Sequence, residues 1–192
     1  MEILAAIVGG FLAAGAGWFV QSRIEASRES RHKKLLLLGI TDDLTNSLEL
    51  YDQLTEDWER SRIVWFKLLT EIGDSRQIYV NHRSSIVLIK SESLRNRILQ
   101  YYRKSGNHLL ALQNAQQRKY DIQGKYNLAV QNQQLQNHDL SLEAAQAIVV
   151  QAMTAESDEL AYWNDHLPVL VAGVQRFKDD AREIRELLKN ER

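Results

Sequence analysis

The chain predicts an all-α protein, an N-terminal transmembrane helix followed by an antiparallel helical bundle with long helices. Three observations carry that expectation. Ile3 to Val20 is an apolar run of eighteen residues without a charge or a proline; as a helix it reaches about 27 Å, against roughly 30 Å for the hydrocarbon core of a bilayer. One proline and nine glycines in 192 residues leave little turn punctuation in a helix-favouring composition. Apolar residues then recur at helical spacing through most of the remaining chain.

Bulk composition bounds the function. Lys and Arg number 24 against 25 Asp and Glu, a net charge of −1, which gives no global attraction for nucleic acid as a partner. Cysteine is absent, which excludes a disulfide framework, thiol nucleophiles and Cys-ligated metal sites. The expected plan is a transmembrane anchor over 1–21, a basic juxtamembrane stalk over 22–36 and a cytosolic helical bundle over 37–192.

Within the anchor, small residues recur at every fourth position, Ala5, Gly9, Ala13 and Gly17, with a second row at Ala6, Gly10 and Ala14. Such rows let helix backbones approach closely in lipid, so they are the expected oligomerisation contacts of a homo-oligomer. Trp18 and Phe19 mark the inner boundary. Beyond them stand Arg23, Arg28, Arg31, Lys33 and Lys34 against Glu25 and Glu29, whereas only Met1 and Glu2 precede the run. The positive-inside bias then expects the N-terminus outside and the bulk cytosolic at an inner or plasma membrane. Trp18 and the five basic residues are the expected contacts to lipid headgroups. A secretory leader cleaved near Ala14, Gly15 and Ala16 is the competing reading, and it lacks the basic n-region of such leaders.

From Lys33 a seven-residue apolar period runs through Leu37, Leu44, Tyr51, Trp58, Trp65 and Ile72, flanked by Ile40, Leu48, Leu54, Leu68 and Leu69. This is a helix with a buried seam, and three aromatic residues in the seam suit a bundle better than a two-stranded coiled coil. The charged patch Glu56, Asp57, Glu59, Arg60 and Arg62 fits either a break or a solvated face, so 33–72 is one helix or two. Gly73, Asp74 and Ser75 predict a turn. Over Gln77 to Lys90 the β-branched residues could support short strands, but no turn signal closes a hairpin, so helix or irregular structure is expected. Leu94, Ile98, Tyr101, Leu109 and Leu112 predict a helix over 91–119 with Gly106 as its weak point.

Between Gln113 and Asn137 twelve of 25 residues are Gln or Asn, a composition that buries little. The segment reads as the solvated tip of a helical hairpin near Gly124, or as a polar oligomer face. Asp139 and Ser141 offer N-caps for a helix with Leu142, Ala145, Val149, Ala152, Leu160 and Trp163 on one face. Pro168 fits a first helical turn and so predicts the start of a last helix. Its stripe is Leu167, Leu170, Val171, Val174, Phe177, Ala181, Ile184 and Leu188, with the charges from Asp179 to Glu186 mostly solvent-facing.

Site chemistry is sparse. A di-iron bundle needs two Glu-x-x-His steps, and only Glu29 to His32 has that spacing, among basic neighbours. His82, His138 and His166 are isolated. No metal and no cofactor are expected. Gly9 and Gly10 lie in the apolar run, so no Gly-rich phosphate loop joins a strand to a helix.

The segment Arg103-Lys104-Ser105-Gly106-Asn107-His108 resembles the arginine, four residues, histidine arrangement of HEPN-superfamily ribonucleases. That resemblance implies an all-helical dimer in which His108 serves proton transfer and Arg103 the scissile phosphate. Surface residues beside a helix irregularity are the alternative reading. The order of span, basic stalk and bundle is similar to that of poorly characterised bacterial single-pass inner-membrane proteins. It is also similar to small CRISPR-associated membrane proteins, which join one span to a HEPN-like bundle and form pores. The expectation is a non-enzymatic membrane-anchored bundle for self-association or protein binding. An oligomeric, defence-related membrane effector or pore and a HEPN-like ribonuclease are its alternatives.

Overall fold

A computed structural model describes the backbone of residues 2–191 and the side chains of residue 18 and residues 20–191; the side chains of 1–17 and Phe19 lie outside the described residues. Every regular element among them is helical. The first, α1 (Glu2–Ser61), is a single helix of 60 residues, about 90 Å long. Its buried seam begins at Leu36 and Leu37 and continues through Ile40, Leu44, Leu48, Tyr51, Leu54 and Trp58. The helix passes through the charged patch and stops only after Ser61, where Arg62 takes a left-handed φ of 57°. Its amide donates to the Trp58 carbonyl at 2.9 Å, and its guanidinium lies over the Trp58 ring. The segment 33–72 is therefore two helices.

That break corrects the seam. Once the chain leaves the helix at Arg62, the seven-residue step from Trp58 no longer returns to the same face. Trp65 is half-exposed, and Val64 is buried in its place. The next helix, α2 (Phe66–Asp74), buries Leu68, Leu69 and Ile72. Two short pieces follow, α3 (Gln77–His82) and a 3-10 turn over Arg83–Leu88. The β-branched residues thus enter helix and turn, as the missing hairpin signal implies. Gly39 permits the close approach of α3, since a Cβ there would collide with Ile78 Cγ2.

The long helix α4 (Glu92–Gln136) is capped by Ser91, whose hydroxyl accepts from the Leu94 amide at 3.2 Å. It runs straight through both Gly106 and Gly124. The hairpin tip is therefore at Asn137 to Leu140, where the Leu140 amide donates to the Asn137 carbonyl, and not near Gly124. The return arm is α5 (Leu142–Ala152), capped by Ser141, then α6 (Thr154–Ala172) and α7 (Val174–Glu191). The face expected over Leu142 to Trp163 is interrupted at Met153, and in α5 only Ala145 and Val149 are buried.

Pro168 lies inside α6 and does not open the last helix. Interior proline costs about 3 kcal/mol, but Leu167 and Val171 on either side are buried in the core. The break falls instead at Gly173, and the buried stripe continues across it through Val174, Phe177, Ala181, Ile184 and Leu188.

Cross-links fix the packing directions. Lys33 pairs with Glu191 and Asp52 with Lys178, so α1 and α7 are antiparallel. Arg97 pairs with Glu183 and Arg118 with Glu159, so α4 is antiparallel to α6 and α7. Among the described residues the buried apolar side chains form two clusters. The larger one joins α1, α2, α4, α6 and α7. The smaller, Val130, Ala145 and Val149, holds the distal hairpin.

Candidate functional site

The residues expected at lipid headgroups divide into two sets. Trp18 is exposed, as are Arg23, Arg28, Arg31 and Lys34. Lys33 is half-buried and engaged within the fold. Its ammonium lies 3.2 Å from a Glu191 carboxylate oxygen and 3.1 Å from the Glu191 carbonyl oxygen. The same carboxylate accepts the Lys90 amide at 2.8 Å. That amide first, and Lys33 after it, hold the Glu191 carboxyl below its ordinary pKa. Three segments therefore meet where α1 enters the bundle: the helix itself, the start of α4 and the end of α7. The small-residue rows Ala5, Gly9, Ala13, Gly17 and Ala6, Gly10, Ala14 have side chains outside the described residues. Among the described residues no helix is long and apolar enough to cross a membrane.

Arg103 and His108 do not form one site within the chain. Five residues of helix put them about 140° apart. His108 turns inward, with Nε2 2.7 Å from the Leu170 carbonyl oxygen and its ring 5.0 Å from that of Phe177. That carbonyl is one of those left without an intrahelical donor where α6 ends, so the imidazole caps the kink. Gly173 gives it room, since a Cβ there would meet His108 Cε1 at 2.9 Å. Arg103 is exposed on the other side of α4. Among the described residues no three His, Asp or Glu side chains gather as a metal site would require.

A polar centre outside the apolar stripes lies between α1, α3 and α4. Asp43 is buried, and its Oδ2 accepts the Tyr79 amide at 2.9 Å while the Tyr102 hydroxyl reaches the same oxygen at 3.5 Å. Burial raises the Asp43 pKa, and the amide partly offsets it. Burial also raises the phenols of Tyr51, Tyr101 and Tyr102, so they stay protonated. The rings of Tyr79 and Tyr102 stack at 3.8 Å with 7° between planes. Arg76 donates to the Tyr102 carbonyl and lies over the Tyr102 ring. Ser47 and Ser75 share a hydrogen bond of 3.0 Å. The sequence signal was present: Ile40, Asp43, Leu44 and Ser47 follow the i, i+3, i+4, i+7 pattern of a buried face, which places a carboxylate and a hydroxyl in the core. No protein family, curated protein or solved structure matches the chain.

Proposed function

We propose that the chain is a single-pass membrane protein whose helical bundle mediates self-association or binds a protein partner at the inner membrane, without catalysis of its own. One observation carries this reading. The helix that contains Ile3 to Val20 continues without a break to Ser61 and forms a wall of the core from Leu36 onward. No linker separates the apolar run from the bundle, so an orientation or association set at one end is transmitted rigidly to the other.

Arg23, Arg28, Arg31, Lys33 and Lys34 follow the run on its bundle side, which supports a bundle inside. For association, helical periodicity supplies an argument. Gly9, Ala13 and Gly17 recur at every fourth position, the spacing that lets helix backbones approach closely in lipid. Among the described residues of α1, Val20, Ile24, Leu35 and Leu38 are exposed while Leu37, Ile40 and Leu44 are buried.

The test is the oligomeric state in membranes or mild detergent of the wild type and of a Gly9→Leu, Ala13→Leu, Gly17→Leu variant. Bulky side chains on a close-packed face weaken assembly, so the variant is expected to lose its oligomers. Full assembly of the variant would remove the small-residue rows from the explanation.

A further inference from the structure

A cleft of about 580 Å³ opens between α3 and α4 on the side of the bundle away from His108. Its size falls in the range of about 300 to 1,000 Å³ of ordinary ligand pockets. Its floor is aromatic: Tyr102 is buried, and the half-buried Tyr79 lies stacked upon it. Asp43, behind the floor, accepts the Tyr79 backbone amide at 2.9 Å and lies 3.5 Å from the Tyr102 hydroxyl. Leu99 adds an apolar wall.

The rim has the opposite character. Arg83 closes one side from the 3-10 turn, and Arg103 closes the other from α4. Nearby arginines are spent within the fold: Arg76 on the Tyr102 carbonyl, Arg95 on the Ile89 and Lys90 carbonyls, Arg97 on Glu183. Arg83 and Arg103 have no such partner among the described residues. The amides of Asn96 and Gln100 stand between them, since Asn96, Gln100 and Arg103 follow i, i+4, i+7 on one face of α4. No carboxylate lines the cleft.

We propose that this cleft binds a nucleotide. A rigid stacked floor suits a planar base, two unpaired guanidiniums suit phosphate oxygens by charge-assisted, bidentate hydrogen bonds, and the two amides supply donors and acceptors for a base edge or ribose. Arg103 here serves as a phosphate ligand without His108, so the site needs no nuclease chemistry. It is also independent of how α1 sits in a membrane, and it gives the bundle a chemical input.

The test is titration of the purified full-length chain with ATP, GTP, CTP and UTP, alongside adenosine, tripolyphosphate and a single-stranded RNA oligonucleotide. At least one nucleoside triphosphate is expected to bind saturably, and about tenfold or more tighter than adenosine or tripolyphosphate. Arg83→Ala and Arg103→Ala are each expected to weaken it by about tenfold, with helix content and Tm at wild-type values because both side chains are exposed. Tyr79→Leu is expected to weaken it while leaving tripolyphosphate binding unchanged. The proposal is overturned if the folded wild type binds none of the four triphosphates, if either folded arginine variant binds like wild type, or if tripolyphosphate binds as tightly. It is also overturned in favour of a polymer site if only the oligonucleotide binds.

Discussion

Single side chains decide how α3 and the kink between α6 and α7 are held. Asp43 provides the carboxylate at the Tyr79 amide and the Tyr102 hydroxyl. Asp43→Ala is therefore expected to cost about 1 to 3 kcal/mol in urea unfolding. Its titration has an unusual sign. Burial raises the folded pKa above its ordinary 3.8, so the native state binds more protons than the unfolded chain in the window just above that value. Stability from this group then falls as pH rises through the window and is recovered on acidification. Relative to Asp43→Asn, the wild type is expected to gain stability from about pH 7 to about pH 4; losing ground on acidification would contradict the burial argument. The two glycines of α4 offer a second contrast. A Cβ at Gly106 would meet the Arg76 guanidinium at 2.6 Å, whereas at Gly124 it would meet nothing within 4 Å. Gly124→Ala is expected to stabilise by up to about 1 kcal/mol through helix propensity, while Gly106→Ala obliges the Arg76 guanidinium to shift and is expected to gain less than Gly124→Ala. His108→Ala, which uncaps Leu170 and opens space beside Phe177, is expected to lower stability by about 1 to 3 kcal/mol.

At the scale of helices, the amphipathic stripes were legible wherever one face packs against the main core. Leu37, Leu44 and Tyr51 are buried as their spacing implies, as is the stripe from Leu167 to Leu188 except for the half-buried Leu170. Misplaced boundaries arose where a local signal competed with packing. Pro168 is a sound start signal in isolation, yet the core holds Leu167 and Val171 in one continuous helix across it. Gly124 is a plausible turn residue, yet Val130 with Ala145 and Val149 keeps α4 helical beyond it. Trp65 fits the heptad only if α1 continues, and the left-handed Arg62 ends it. The Asp43 centre escaped a reading based on apolar residues because its members are polar, although they occupy seam positions. Pro168→Ala separates the two views of α6. In a helix interior it restores a backbone hydrogen bond and is expected to stabilise by about 1 to 3 kcal/mol. At a first turn it would be neutral or unfavourable.

For the molecule as a whole, the architecture is a rod with a bundle on its distal part. Lys33 and Glu191 clasp α1 to the end of α7 where the rod emerges, and α4 with α5 extends the opposite end as a thin hairpin with a small core of its own. The expected all-helical class is present, and its long helices are longer than their apolar stripes alone implied, because the Gln-rich part of α4 is helical too. The central proposal is that α1 both crosses the bilayer and carries the bundle on its inner side. A chain without cysteine makes this directly measurable. Single cysteines at Glu2→Cys and Ser30→Cys, in a chain recovered with membranes, are exposed in intact cells to a membrane-impermeant thiol reagent. A spanning α1 with the bundle inside gives labelling at position 2 in intact cells and at position 30 only after permeabilisation. Labelling at position 30 in intact cells, or at neither position until permeabilisation, would contradict it.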